Sequence, residues 1–216
     1  MSARLLDDLA AWSEGVGQPI DGSLRRSLQI YLDTLLLWSS RLSLVSQKDP
    51  KAVCDKHLAD SLFAARCCRH GDRVVDLGSG AGFPGLVIAM ARPDVRVCLM
   101  ESRAKRCSFL QEAARLAGVG NAGVFHGRIE DAARLPEHHR AYTLALSRAL
   151  ADVDGFLRLA RPLLGAGGRA VAMKSAVPQT RIESPALARE FAFAQVVPYQ
   201  LPDGSRRTLV EFHVKR

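Results

Sequence analysis

The sequence predicts an α/β fold: a seven-stranded, mostly parallel sheet that ends in an antiparallel hairpin and carries an N-terminal helical cap. Three observations carry this expectation. From about residue 72, short apolar runs alternate with helix-length amphipathic ones. A glycine-rich stretch follows the first of those short runs. The last two β-rich segments are joined by Pro202-Asp203-Gly204-Ser205, a turn that suits a hairpin.

Before residue 72 the apolar spacing is helical. Leu5, Leu6, Leu9 and Trp12 share one face of a first helix, which Gly15-Val16-Gly17-Gln18-Pro19 stops. Ser23 is placed to cap a second, in which Leu24, Leu28, Tyr31, Leu32, Leu35, Leu36 and Trp38 recur at helical spacing. A third runs over residues 50–68, where Lys56-His57-Leu58-Ala59-Asp60-Ser61-Leu62 mixes polar groups with an apolar face. There is no low-complexity linker and no internal repeat. Residues 1–71 are expected to form a helical extension packed as one unit on a domain of residues 72–216.

Within that domain, Val74-Val75-Asp76-Leu77 reads as a short buried strand that runs into glycines, followed by a helix over residues 84–91. Pro84 suits the first turn, because it has no N–H to lose there. Residues 95–100 form a second strand, and residues 104–117 a helix closed by Gly118. Val124-Phe125-His126 is a third strand and residues 142–147 a fourth, followed by a helix over residues 153–163. Gly167-Gly168 turns the chain into a fifth strand over residues 169–173. Residues 191–201 and 208–215 complete the sheet as a hairpin. Strand–helix alternation implies parallel strands with right-handed crossovers.

Composition limits the classes open to the chain. At 216 residues, 48% hydrophobic and 24% charged, it is an ordinary folded protein and not a disordered one. No apolar run approaches the ~20 residues of a membrane helix, and acids follow soon after the N-terminus, so a cytoplasmic location is expected. Cys54, Cys67, Cys68, Cys98 and Cys107 are odd in number with no Cys-x-x-Cys pair, so neither a disulfide framework nor a metal site is expected. Lys plus Arg exceed Asp plus Glu by 30 to 22, a net +8 that favours a polyanionic partner. A monomer is the default expectation.

The chemistry centres on Val75-Asp76-Leu77-Gly78-Ser79-Gly80-Ala81-Gly82-Phe83-Pro84-Gly85. A glycine loop between a strand and a helix lets a ligand approach the backbone, as in Rossmann-like folds. Residues 80–85 also match the dinucleotide pattern G-x-G-x-x-G, which keeps a nicotinamide oxidoreductase open. Asp76 separates the two. A carboxylate leading into the loop would repel a pyrophosphate, but it favours the ammonium and sulfonium of S-adenosylmethionine. Glu101, ending the second strand, is placed to accept hydrogen bonds from ribose hydroxyls, with Ser102 beside it. After the third strand, Gly127-Arg128-Ile129-Glu130-Asp131 offers a backbone N–H, an acid and an apolar side chain for adenine, or simply a helix start.

With these residues in hand, the chain resembles the glucose-inhibited division protein B family, bacterial 16S ribosomal RNA guanine-N7 methyltransferases. The resemblance covers nearly the whole chain. It rests on Lys56-His57-Leu58-Ala59-Asp60-Ser61, the loop of residues 76–85, Ser102-Arg103-Ala104-Lys105-Arg106-Cys107-Ser108-Phe109-Leu110, Ser147-Arg148-Ala149 and the tail of residues 203–210. It implies a class I S-adenosylmethionine-dependent methyltransferase. The implied cofactor contacts are Gly78, Phe83, Ile129, Glu130 and Arg148, with Glu101 at the ribose. Asp76, Gly80, Gly82 and Ser102 join them as candidates from the loop and strand reading. The implied substrate is a guanine in the 530 loop of 16S rRNA, in naked RNA or in the small ribosomal subunit. The chain departs from the usual family pattern at Arg41-Leu42-Ser43, at Met173-Lys174-Ser175 and at Glu101, where Asp is usual.

Guanine N7 carries a lone pair and no proton, so its methylation needs orientation and no general base. Arg148, at the end of the fourth strand, is the candidate positioning residue, toward the cofactor carboxylate or toward RNA. Arg103, Lys105 and Arg106 open a helix, where cations are unfavourable, so they serve as phosphate contacts or as exposed solubilising charge. His57, Lys174, Arg206 and Arg207 join them as candidate RNA-binding residues, with Lys215 and Arg216 on the same surface. A structural role is the alternative for His57. His138-His139 falls in a loop without metal partners, and Trp12 and Trp38 are expected in the core rather than as stacking platforms.

Overall fold

The computed structural model describes residues 2–45, 49–148, 152–175 and 180–215. Ala149 and Arg216, named above, lie outside them. Seven strands form one sheet: β1 (Arg73–Leu77), β2 (Arg96–Glu101), β3 (Ala122–His126), β4 (Tyr142–Arg148), β5 (Leu164–Ser175), β6 (Phe191–Gln200) and β7 (Arg206–Val214). Their order is β3-β2-β1-β4-β5-β7-β6. The first five strands pair in parallel, whereas β7 runs antiparallel to both β5 and β6. The order reverses between β1 and β4, so the crevice at their carboxyl ends is where a ligand is expected.

Alternation along the strands builds two apolar layers. Val75 and Leu77 face α8 (Val153–Ala160), whose Phe156 and Leu157 are fully buried with Ala170, Ala172 and Phe212. Val74, Leu99, Leu144 and Val171 face the opposite layer, made by α5 (Gly85–Ala91), α6 (Ala104–Leu116) and the N-terminal helices. Leu28, Tyr31, Leu32 and Leu35 share that core with Phe109 and Leu110. The N-terminal helices therefore help bury the sheet.

Those helices are α1 (Ser2–Gly15), α2 (Gly22–Ser39), α3 (Pro50–Ala52) and α4 (Ala59–Ala65). The cap of α2 is Asp21, not Ser23: its carboxylate accepts the Leu24 N–H at 2.8 Å and its backbone is extended. Residues 50–65 are not one regular α-helix. A π-helical segment, Val53–Leu58, separates α3 from α4 and carries Lys56 and His57. Such segments recur at functional sites.

Pro84 stands at the cap of α5 rather than inside it, and the Phe83–Pro84 peptide is cis. The first helical N–H, that of Gly85, is satisfied by Asp76 at 3.0 Å. The fifth strand starts at Leu164, ahead of the expected turn, with a register shift between Tyr142 and Leu144 that absorbs Gly167 and Gly168. Two short helices, α7 (Ile129–Ala132) and α9 (Pro185–Glu190), complete the chain. No helix of the described residues is long and apolar enough to cross a membrane.

Candidate active site

The carboxyl ends of β1, β2, β3 and β4 surround a cleft of about 480 Å³, lined by Gly78, Glu101, Ser102, Ile129, Glu130 and Arg148, with Arg103 and Arg106 at one side. Six of the ten residues proposed from sequence to bind cofactor therefore meet in one place. The other four, all within the loop of residues 76–85, do not line the cleft. Gly80 directs its N–H to Glu101 Oε2 at 3.0 Å. Gly82, at φ +95°, faces inward, where a Cβ would lie 3.0 Å from Leu86 and 3.1 Å from Leu110. Phe83 is buried. Asp76 is 1% exposed and holds the loop onto α5.

Gly85 explains how Asp76 can sit there. A Cβ on Gly85 would fall 2.7 Å from the Asp76 carboxylate and 2.5 Å from Leu99, so only glycine lets the helix approach the strand this closely. Burial pushes the Asp76 carboxyl up to about 6, against the Gly85 N–H, Ser79 and the Arg148 charge, which all favour ionisation. Its Oδ1 is buried with no partner. Glu101 differs. Each oxygen accepts one backbone N–H, from Gly80 at 3.0 Å and Arg103 at 2.8 Å, and Arg106 lies 3.7 Å away. Each oxygen keeps a lone pair for a hydroxyl donor.

Arg148 is held on three sides. Its Nε lies 3.3 Å from Asp60 Oδ2, its Nη2 donates to His57 Nδ1, and the guanidinium stands 5.8 Å from the Phe83 ring centroid. Nη1 is buried with no partner. Asp60 is 2% exposed and also accepts the Tyr199 hydroxyl, which fixes it from the hairpin side. Burial raises the Asp60 carboxyl above its ordinary value, while Arg148, Tyr199 and Arg207 pull it back. His57 stacks on Phe83 at 5.1 Å. Burial, then the charges of Arg148, Lys56 and Arg207, lower it to about 4, so it is neutral and a weak base.

The remaining cations divide by position. Arg103, Lys105 and Arg206 are exposed, Arg106 and Arg207 are half-buried, and Lys174 is half-buried near the end of β5. Arg207, on β7, pairs with Tyr199 across the hairpin, and its charge reaches Asp60, His57 and Arg148. Among the described residues no group of three or more His, Cys, Asp or Glu side chains could hold a metal ion. Asp60 and Tyr199 are site residues that no sequence motif pointed to by role. Asp60 lies three residues after His57, a helical spacing that places both near Arg148. Tyr199 carried no such signal, because its partner is 139 positions away in sequence.

One chain of rings joins the cap to this site. Trp38 meets Phe109 at 5.7 Å, Phe109 meets Tyr31 at 6.4 Å, and Tyr31 meets Phe83 at 5.6 Å. The Tyr31 hydroxyl donates to the Ala81 carbonyl at 2.6 Å. The second helix thereby holds the glycine loop from behind.

Comparison with known proteins agrees with this architecture. The GidB family model, described as rRNA small subunit methyltransferase G, matches residues 24–210. A protein of Symbiobacterium thermophilum named Ribosomal RNA small subunit methyltransferase G is 35% identical over 87% of this chain and 80% of its own. Proteins of the same name from Chloroflexus aggregans and Xanthomonas campestris are 32% and 34% identical, over 95% and 94% of this chain and 87% and 94% of theirs. A SAM-dependent methyltransferase from Aquifex aeolicus superposes with a TM-score of 0.56 at 13% identity, covering 76% of this chain and 93% of its own. A mutant of MtNAS in complex with S-adenosylmethionine gives 0.59 at 13% identity, over 96% of this chain and 77% of that one. At these identities the solved structures speak to the fold, and the fold is that of S-adenosylmethionine-dependent methyltransferases. The resemblance read from residues 56–61, 76–85 and 102–110 is thus borne out across the chain, which belongs to the rRNA small subunit methyltransferase G family.

Proposed function

We propose that this chain methylates N7 of a guanine in the 530 loop of 16S rRNA by direct in-line transfer, with no general base. The observation that carries the reading is the family match over residues 24–210. The chemistry of the cleft is consistent with it. When bound, S-adenosylmethionine supplies an electrophilic methyl on a cationic sulfur.

The residues present fit that group. Glu101 keeps lone pairs for the ribose hydroxyls, and Ile129 and Glu130 suit the face and edge of adenine. Gly78 offers backbone close to the ligand. The unpartnered Arg148 Nη1 suits the amino-acid carboxylate. Asp76 contributes a negative charge from below the loop. Arg148 acts as a positioning group, because Asp60 and His57 fix its plane and leave one nitrogen free.

The nitrogen to be methylated has no proton to remove, so none of the carboxylates at the cleft is needed as a base. His57 is neutral, but its Nδ1 already accepts from Arg148. Catalysis is then orientation of two reactants, worth several powers of ten in rate. His57, Arg103, Lys105, Arg106, Lys174, Arg206 and Arg207 are the cations and neighbours we assign to RNA. A monomer acting in the cytoplasm on 16S rRNA or the small subunit completes the reading.

The test is transfer of labelled methyl to small subunits lacking the modification, to their extracted RNA, to total protein and to small molecules. Label on 16S rRNA is expected. Label confined to protein or small-molecule acceptors would leave the fold and cofactor standing and reject the RNA substrate.

A further inference from the structure

A groove of about 550 Å³ lies between the C-terminal end of α2 and the first turns of α6. Leu37, Trp38 and Leu42 are its apolar lining, and Arg41, Lys105 and Ser108 its polar lining. Leu37 is 69% exposed, the most exposed of the large apolar side chains among the described residues. Trp38, expected in the core from sequence, is only half-buried, with its ring anchored edge-on against Phe109. No carboxylate of the described residues lines the groove, and Arg41 and Lys105 are both exposed. Among the described residues neither cation pairs with an acid.

The groove adjoins the cofactor cleft. Arg106, one residue after Lys105, lines the cleft, lies 3.7 Å from Glu101 and donates to the Ser43 carbonyl, next to Leu42, at 3.4 Å. Arg106 therefore reaches from the cleft to the loop that follows the groove's Leu42.

We infer that this groove docks a single-stranded stretch of the RNA substrate beside the reacting nucleotide. An unpaired base lies on Leu37 and Trp38, and the flanking phosphates meet Arg41 and Lys105. Charge selects the occupant. Apolar side chains bordered by two cations and a serine match a π-face bordered by phosphate, whereas an apolar protein helix would leave both cations without anions. A duplex keeps its base faces stacked inside and would use the cations alone. The inference rests on RNA being the substrate, and it names where that RNA is held outside the cleft.

The test is a binding titration. A fluorescently labelled single-stranded oligoribonucleotide and its duplex are titrated with the full-length protein and with Leu37→Asp, Leu37→Ser and Lys105→Ala, each checked for an unchanged melting temperature. KM and kcat are then measured on rRNA. Binding of the single strand by Leu37→Asp is expected to weaken about tenfold, with a smaller loss for Leu37→Ser. KM for rRNA rises in step, while kcat and the affinity for S-adenosylmethionine stay unchanged. Lys105→Ala lowers the slope of log K against log salt by about 0.7, the release expected for one phosphate on a single strand. Equal single-strand binding by wild type and all three variants would overturn the inference. So would a KM penalty seen on whole subunits but absent on protein-free RNA, which would assign the groove to a ribosomal protein. A wild type that methylates no RNA rejects the proposed substrate, and the titration still decides whether the groove holds single strands.

Discussion

Asp76 is a buried charge and Arg148 a half-buried one beside the same cleft, and their surroundings give them opposite roles. Arg148 has an acid partner in Asp60, a neutral acceptor in His57 and one unsatisfied nitrogen. Arg148→Ala is expected to reduce methyl transfer about a hundredfold or more and, because it strips buried Asp60 of its cation, to lower the melting temperature as well. Asp60→Asn should lower kcat too, because it loosens the guanidinium without removing it, and Tyr199→Phe should do so less. Near-normal turnover in Arg148→Ala would remove it from the site. Asp76 is ionised at neutral pH against burial, with its carboxyl pushed up to about 6. Because that value lies above the ordinary 3.8, ionised Asp76 lowers stability above about pH 6, and the penalty disappears as pH falls toward 3.8. Asp76→Asn keeps an acceptor for Gly85 without the charge, so its melting temperature at neutral pH should match or exceed that of the wild type. Its affinity for S-adenosylmethionine, by calorimetry, should be weaker. Wild-type affinity should fall as pH drops through about 6, and the variant should show no such inflection. An inflection retained in the variant would assign it to another group.

At the scale of elements, the loop of residues 76–85 depends on its neighbours on three sides. Asp76 ties it to α5, Glu101 to β2, and the Tyr31 hydroxyl to α2. Gly85→Ala tests the closest of these contacts. A methyl at 2.5–2.7 Å from Leu99 and Asp76 must displace the helix, which costs about 1–3 kcal/mol. A fall of several degrees in melting temperature is expected, together with weaker cofactor binding as the loop shifts. An unchanged melting temperature would mean that α5 is free to move. Much of this was legible in the sequence. The strand-to-helix alternation, the glycine loop and the acid ending β2 are local patterns, and local patterns determined where Gly78, Glu101, Ile129 and Arg148 would converge. The cap of α2 was misplaced by two residues, because Asp21 and Ser23 are both competent caps and only the extended backbone at Asp21 separates them. The π segment was not legible, since one extra residue in a turn leaves the apolar pattern nearly unchanged. Tyr199 was not either, because its role depends on the hairpin folding back to the N-terminal helices.

For the whole molecule, the cap and the sheet share one apolar layer, and cations gather on the side of the cleft. Arg103, at the cap of α6, and Arg106, in its first turn, line the cleft, Lys105 faces the adjoining groove, and the charge of Arg207 on β7 reaches Arg148. With a net charge of +8, association with RNA should be dominated by phosphate contacts. The kcat/KM for rRNA is expected to fall steeply as salt rises, with a log–log slope of about −0.7 for each phosphate engaged on a single strand. Arg206→Ala and Arg207→Ala should each make it shallower. A flat salt response would contradict a phosphate-dominated encounter.

The most direct measurement maps the methyl group after transfer. An N7-methylated guanosine, once reduced with borohydride, allows aniline to cut the RNA chain at that nucleotide, and methylation at other guanine atoms does not. Treated 16S rRNA from small subunits incubated with the enzyme and S-adenosylmethionine is predicted to break at one guanine in the 530 loop, and rRNA incubated with Arg148→Ala should stay intact there. Label incorporated into the RNA without scission in that loop would contradict N7 methylation at this site.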